Sequence, residues 1–182
     1  MTTLSNLKVI ALAAFMLGCT SAMAAVGAGP YYATPSWDQT LPANTRFVVL
    51  TNMNSEAVLD RETGLVWERT PATQERPWIL AVASCVQKDI GGRKGWRLPW
   101  HHELQSLIDI GSPDGVPVGH PFVGVAGHTF WSATGVATGE VWTLTFDQFA
   151  NDVVTSTDFF QFERRYMCVR GAQPGRSHPV FP

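Results

Sequence analysis

Three groups of side chains in this sequence have the types and spacing to do chemistry. Trp100 is followed directly by His101, His102 and Glu103. Adjacent histidines on a helix point about 100° apart, so His101 and His102 cannot hold one ion together. The group offers instead an aromatic ring beside hydrogen-bonding imidazoles, the means by which a flat sugar face is gripped. Asp147, Asn151 and Asp152 place hard oxygen ligands in one turn-like stretch, a set compatible with calcium. The glycine of a tight calcium loop is missing there, and neither Glu-Pro-Asn nor Trp-Asn-Asp occurs, so no metal is assigned. Phe159, Phe160 and Phe162 run among Asp158, Arg164 and Arg165. Strand-like alternation would bury these rings, whereas a loop would present them to a partner. The ligand-binding candidates are therefore Trp100, His101, His102, Asp147, Asn151, Asp152 and Arg164.

Catalytic constellations are not evident. The sequence holds no Gly-x-Ser-x-Gly elbow, phosphate-cradling glycine loop or His-Glu-x-x-His helix. No catalytic residue and no cofactor is predicted. No run of Lys or Arg exists and the formal charge is −2, which argues against nucleic acid, acidic lipid and heavily sulfated glycans as partners.

The two cysteines most relevant to function depend on how the chain begins. Lys8, the apolar run Val9–Gly18 and Ala22-Met23-Ala24 have the order of a secretory signal peptide cleaved after Ala24. The run is too short to span a bilayer. The rival reading is a lipoprotein through Cys19. Removing residues 1–24 leaves about 158 residues, enough for one buried core. Exactly two cysteines then remain, Cys85 and Cys168, and in an oxidising compartment an isolated pair most often forms a disulfide. Such a bridge closes a loop worth about 4–5 kcal/mol. Two buried thiols or a metal site are the alternatives. The expected location is exported, periplasmic or extracellular, and no later stretch approaches membrane length.

These groups need elements to position them. Residues 25–45 are rich in Gly, Pro, Ala and Thr and read as a linker or arm. Phe47–Leu50 suits a strand. Ala57–Asp60 and Leu65–Glu68 flank Arg61-Glu62-Thr63-Gly64, where Gly64 supplies the positive φ of a hairpin turn. Over 74–86, Trp78, Ala81 or Val82, and Cys85 share one helical face, with Pro77 in the first turn and Gly91-Gly92 as the stop. A second helix is expected over His101–Ile110, with Leu104, Leu107 and Ile108 facing inward. Residues 111–128 lack periodicity, and a connection of that length is usually functional or mobile. Strand signals return at Thr129–Ala133, Val141–Phe146 and Tyr166–Val169, the last containing Cys168. Residues 172–182 read as a frayed tail.

Four co-linear segments carry a family signature: Asp60–Trp67, including Gly64 and Leu65; Trp78 with Ala81 and Cys85; Trp96-Arg97-Leu98-Pro99, with Gly95 before and Glu103-Leu104 after; and Phe130-Trp131-Ser132-Ala133-Thr134, followed by Cys168-Val169-Arg170-Gly171. Together, over residues 46–171, they resemble the C-terminal domain family of the Legionella collagen-like protein. The resemblance implies a C-type-lectin-like α+β fold, two helices packed on a twisted antiparallel sheet with a long loop region. It also implies that Cys85 pairs with Cys168. Family members are typically exported, and the namesake is an adhesin that binds host glycans as a trimer. Oligomerisation is compatible with that, although no collagen-like Gly-x-y stretch is present here. The family has Thr at the position of Trp100, so the capping box to Glu103 is expected to be lost, at about 1 kcal/mol. Trp67, Trp78, Trp96 and Trp131 are expected in the core, and Arg97 as a donor to loop carbonyls.

These readings converge on an exported, non-catalytic module that recognises a glycan or a surface protein. The alternatives are a structural subunit of a periplasmic or extracellular assembly, or an enzyme on the same fold. A related fold hosts sulfatase-activating oxidases, but their chemistry needs reactive cysteines, and a disulfide here would remove the nucleophile.

Overall fold

A computed structural model describes residues 41–136, 139–146 and 154–171. The signal segment with Cys19, most of the 25–45 arm, the oxygen-ligand group Asp147, Asn151 and Asp152, and the 172–182 tail lie outside these. The fold is α+β, with short helices and two antiparallel sheets in place of the single sheet expected.

The first sheet is built on local sequence. A helical turn α1 (Ala43–Arg46) leads into β1 (Phe47–Val49), which pairs with β2 (Ala57–Asp60) and through it with β3 (Val66–Glu68). The β2–β3 hairpin turns at Gly64, whose φ of 71° is costly for any other residue type. Asp60 holds the turn from inside. Its carboxylate accepts the Glu62 N–H and takes a two-pronged bond from the buried Arg46 guanidinium, at 2.9 and 2.8 Å. Arg46 also donates to the Ser106 carbonyl, so one buried cation ties three chain segments.

Helix α2 (Trp78–Gln87) begins at Pro77 and buries Ala81 and Cys85. Helix α3 is only His101–Gln105; Leu104 and Leu107 are buried as the pattern required, but Leu107 lies in the turns that follow the helix. The second sheet has the order β4 (His128–Gly135), β5 (Glu140–Phe146), β6 (Val154–Phe159). Strand β6 was not anticipated, because Val-Thr-Ser-Thr-Asp-Phe lacks a clean apolar alternation. The last strand is only β7 (Val169–Arg170), beside β3, and Cys168 lies immediately before it rather than in it.

Strand alternation distributes side chains between two cores. Phe130, Leu144, Phe146, Trp67, Met167 and Val169 enter one, with Leu104 and Leu107. Trp131 and Cys168, next in the chain to members of that core, enter the other with Val141, which faces opposite to Leu144, and with Ala81, Cys85, Trp96 and Leu98. The segment before β7 joins the sheets: Arg165 exchanges backbone hydrogen bonds with Thr129 and Trp131, and Val169 with Arg97. The Cys85–Cys168 disulfide, with Cα atoms 5.5 Å apart, fastens α2 to this segment. The 111–128 connection is packed, with Val116, Phe122 and Val125 buried in the first core. Its apolar residues, too sparse to set a period, are wall rather than lid.

Candidate functional site

The site is organised by an irregularity in β4. Trp131 stands opposite Thr143 and Gly135 opposite Val141, so four steps along β4 match two along β5. A bulge of this kind re-aims backbone and side chains out of the ladder. Ser132, Ala133 and Thr134 thereby bond outward. The Ser132 carbonyl accepts the Trp78 indole N–H at 2.9 Å, and Ala133 donates to the Pro99 carbonyl. The Thr134 hydroxyl accepts the His101 backbone N–H at 2.9 Å. One short stretch thus fixes the start of both helices.

The expected loss of the capping box is corrected here. An indole has no acceptor lone pair, so Trp100 makes no side-chain cap. Glu103 nevertheless keeps its half of the arrangement, accepting the Trp100 N–H at 2.8 Å. It is also held by Arg97 through two bonds of 2.7 Å, and is almost fully buried. Arg97 further donates to the Leu98 and Gly171 carbonyls, the role its sequence position indicated. Thr134, across the fold, supplies the cap that the local sequence lacks.

With α3 so anchored, the His101 ring stacks on Trp142 of β5, centroids 5.0 Å apart and planes inclined by 32°. Trp100, His101, His102, Thr134 and Trp142 are all partly exposed near the start of α3, and the His101–Trp142 pair forms the centre of a small ring platform there. Burial holds the His101 pKa below that of a free imidazole, and the neighbouring His102 pushes it the same way. Protonation would leave a charged ring whose Nδ1 is already buried without a hydrogen-bond partner among the described residues. His101 is accordingly neutral at neutral pH. The platform can stack an apolar ring face and exchange hydrogen bonds at its rim.

The remaining candidates fall elsewhere. Arg164 is engaged by Asp158 at 2.9 Å and lies 5.8 Å from the Phe162 ring, in the segment that pairs with Arg76. Phe159, Phe160 and Phe162 are each nearly half exposed, so that segment presents its rings. Trp67, Trp96 and Trp131 are buried, whereas Trp78 is only partly so. Trp142 and Thr134 were missed as site residues. Trp142 shares a strand face with the buried Leu144 and Phe146, and its partial exposure has no sequence signal. The family model of the Lcl C-terminal domain matches residues 56–170. No curated protein matches the chain.

Proposed function

This chain belongs to the Lcl C-terminal domain family, and from that premise we propose that it is an exported, non-catalytic recognition module that binds a surface glycan through the ring platform at the start of α3. The observation that carries this reading is the His101–Trp142 stack at 5.0 Å beside the partly exposed Trp100. Carbohydrates present alternating apolar ring faces and hydroxyl edges. An amphipathic aromatic surface bordered by neutral imidazole and hydroxyl groups complements both. The platform rests on secondary-structure elements braced by the Arg97–Glu103 pair, so little ordering is left to be done at binding.

We read the arrangement of two helices and antiparallel strands closed by a disulfide as C-type-lectin-like. An exported address accords with the signal-like start and with the bridge, which persists in oxidising compartments. Among the described residues no helix is long and apolar enough to cross a membrane. A glycan array probed with the wild-type domain and with Trp142→Ala and Trp100→Ala tests the proposal. Saturable glycan signals that both variants reduce at least tenfold are expected. Silence of the whole array at high protein concentration, or signals indifferent to both substitutions, would remove the glycan reading and leave recognition of a protein.

A further inference from the structure

A second surface, on the opposite face of the β4–β5–β6 sheet, has a different chemistry. Trp142 points toward α3, so its neighbour Val141 points the other way, toward α2. There Val141 joins Trp78, Ile79, Val136 and Phe160 in walling a cleft of about 440 Å³. That size lies within the usual range for small-molecule sites. These side chains carry a single polar group, the Trp78 indole N–H, and it is committed to the Ser132 carbonyl at 2.9 Å. Glu140 borders the cleft, but its carboxylate lies on the Trp142 side of β5, where it accepts the Thr157 hydroxyl at 3.2 Å. The Trp78 backbone N–H donates to the Phe160 carbonyl at 2.9 Å and holds the two aromatic walls together. The apolar surface does not stop at the cleft. Helix α2 has no charged residue, and Ile79 and Val86, on one helical face, are 59% and 62% exposed. Ala83, between them on that face, is partly exposed. An exposed helix face is ordinarily polar. Here an apolar stripe leads away from the cleft for two turns, about 10 Å.

We propose that the cleft and the stripe beyond it bind the hydrocarbon chain of a single-chain amphiphile, such as a fatty acid. Walls whose one polar side-chain group is already bonded cannot replace the hydration of a sugar or of an ion. An alkyl chain asks for no such replacement and gains with every methylene taken from water. Shape selects a chain among apolar ligands. A compact ring would fill the cleft and leave the α2 stripe in water. A bilayer surface would meet the stripe but not the buried Val141, which only a group entering the cleft can reach. A chain uses both: its methyl end enters between Trp78 and Phe160, its middle lies along Ile79, Ala83 and Val86, and its head group stays in water. The site is separate from the ring platform and does not depend on the glycan reading.

Sodium hexanoate, decanoate and tetradecanoate, titrated as monomers into the whole domain by calorimetry, provide the test, since the head group is constant and only the chain varies. Saturable binding is expected, tightening about two- to fourfold for each added methylene. Phe160→Ala should weaken all three ligands by about three- to thirtyfold. Val86→Ser should weaken tetradecanoate by about threefold and leave hexanoate unchanged, because only the longer chain leaves the cleft and runs along α2. Both residues are exposed, and unchanged far-UV circular dichroism would establish that each variant is folded. Affinity independent of chain length, indifference to Phe160→Ala, or a Val86→Ser effect equal for short and long chains would overturn the assignment. Sedimentation with phosphatidylcholine and phosphatidylglycerol vesicles should show no capture. Capture that Phe160→Ala abolishes, without saturable binding of the carboxylates, would replace the single chain by a bilayer surface.

Discussion

The Thr134 hydroxyl accepts the His101 N–H at 2.9 Å, so a strand residue caps a helix that begins 33 positions earlier in the chain. The helix start carries Trp100 where a capping side chain would ordinarily stand. Ring platform and cap are therefore one device: the position that could have capped locally is released to carry an aromatic.

That relationship makes Thr134 sensitive to loss of its oxygen but not of its methyl group. Thr134→Val should destabilise the domain by about 1 kcal/mol, as for other lost caps, while Thr134→Ser should be nearly neutral. Urea unfolding of the three proteins checks this. Equal stability of the Val variant would mean that water replaces the cap at no cost.

The disulfide ties α2 to the segment that joins the two sheets, over a separation of 83 residues. Replacing Cys85 and Cys168 together by Ala should cost about 4–5 kcal/mol through the freedom regained by the unfolded chain. A fall in melting temperature should accompany it, and the same fall should appear when the wild type is reduced. A wild type that melts alike with and without reductant would contradict this.

The Arg46–Asp60 pair is nearly inaccessible to water at both partners. Asp60→Asn strips the nearer charge and leaves the buried Arg46 guanidinium only the Glu62 carboxylate, 3.4 Å away, so the cost should stay below the roughly 3–5 kcal/mol of a wholly unpaired buried charge. The double variant Arg46→Met/Asp60→Leu should cost less than the sum of its single changes, because the interaction between the two side chains is lost once rather than twice. Chemical denaturation of all four proteins closes the cycle; strict additivity would show that the two side chains do not interact.

Acid should loosen the platform. Burial lowers the His101 pKa in the folded state below its ordinary value of 6.5, so the unfolded chain binds a proton that the folded chain resists. Its contribution is complete above pH 6.5 and is lost as pH falls toward the folded value. Glu68 acts oppositely in a lower window. Burial raises its pKa above 4.5 despite the pairing with Lys88, so its contribution is complete below 4.5 and is lost as pH rises through the folded value. Stability measured against pH in wild type and His101→Gln should differ in slope just below 6.5. Identical slopes would show that His101 titrates alike in both states.

Binding should follow the same protonation if neutral His101 is part of the ligand surface. Glycan affinity should hold through pH 6.5 and decline only as pH falls to the lowered folded-state value of His101, and the decline should flatten in His101→Gln. Surface plasmon resonance on an immobilised glycan identified by the array would read this directly.

Much of the fold was legible in short-range pattern. The β2–β3 hairpin announced itself through Gly64, where a positive φ is needed, and α2 through the spacing of Trp78, Ala81 and Cys85, since both signals act within one turn of chain. The type and order of most strands followed, together with the pairing implied for Cys85 and Cys168. Strand β6 escaped because its middle, Thr155 to Asp158, is polar and shows no apolar alternation, and its place is set by pairing with β5. Helix α3 came out shorter than its apolar pattern, as Leu107 reaches the core from a turn.

The platform itself was half legible. Trp100, His101 and His102 stand together in the chain, and adjacency alone nominated them. Their partners Trp142 and Thr134 come from other strands, brought in by sheet register and by the β4 bulge, neither of which leaves a local mark. Composition and spacing determined which segments form elements and which cysteines were available to pair. Only the tertiary structure decided which rings meet, because Trp142 and Leu144 share one strand face and only packing against α3 leaves the first partly open while closing the second.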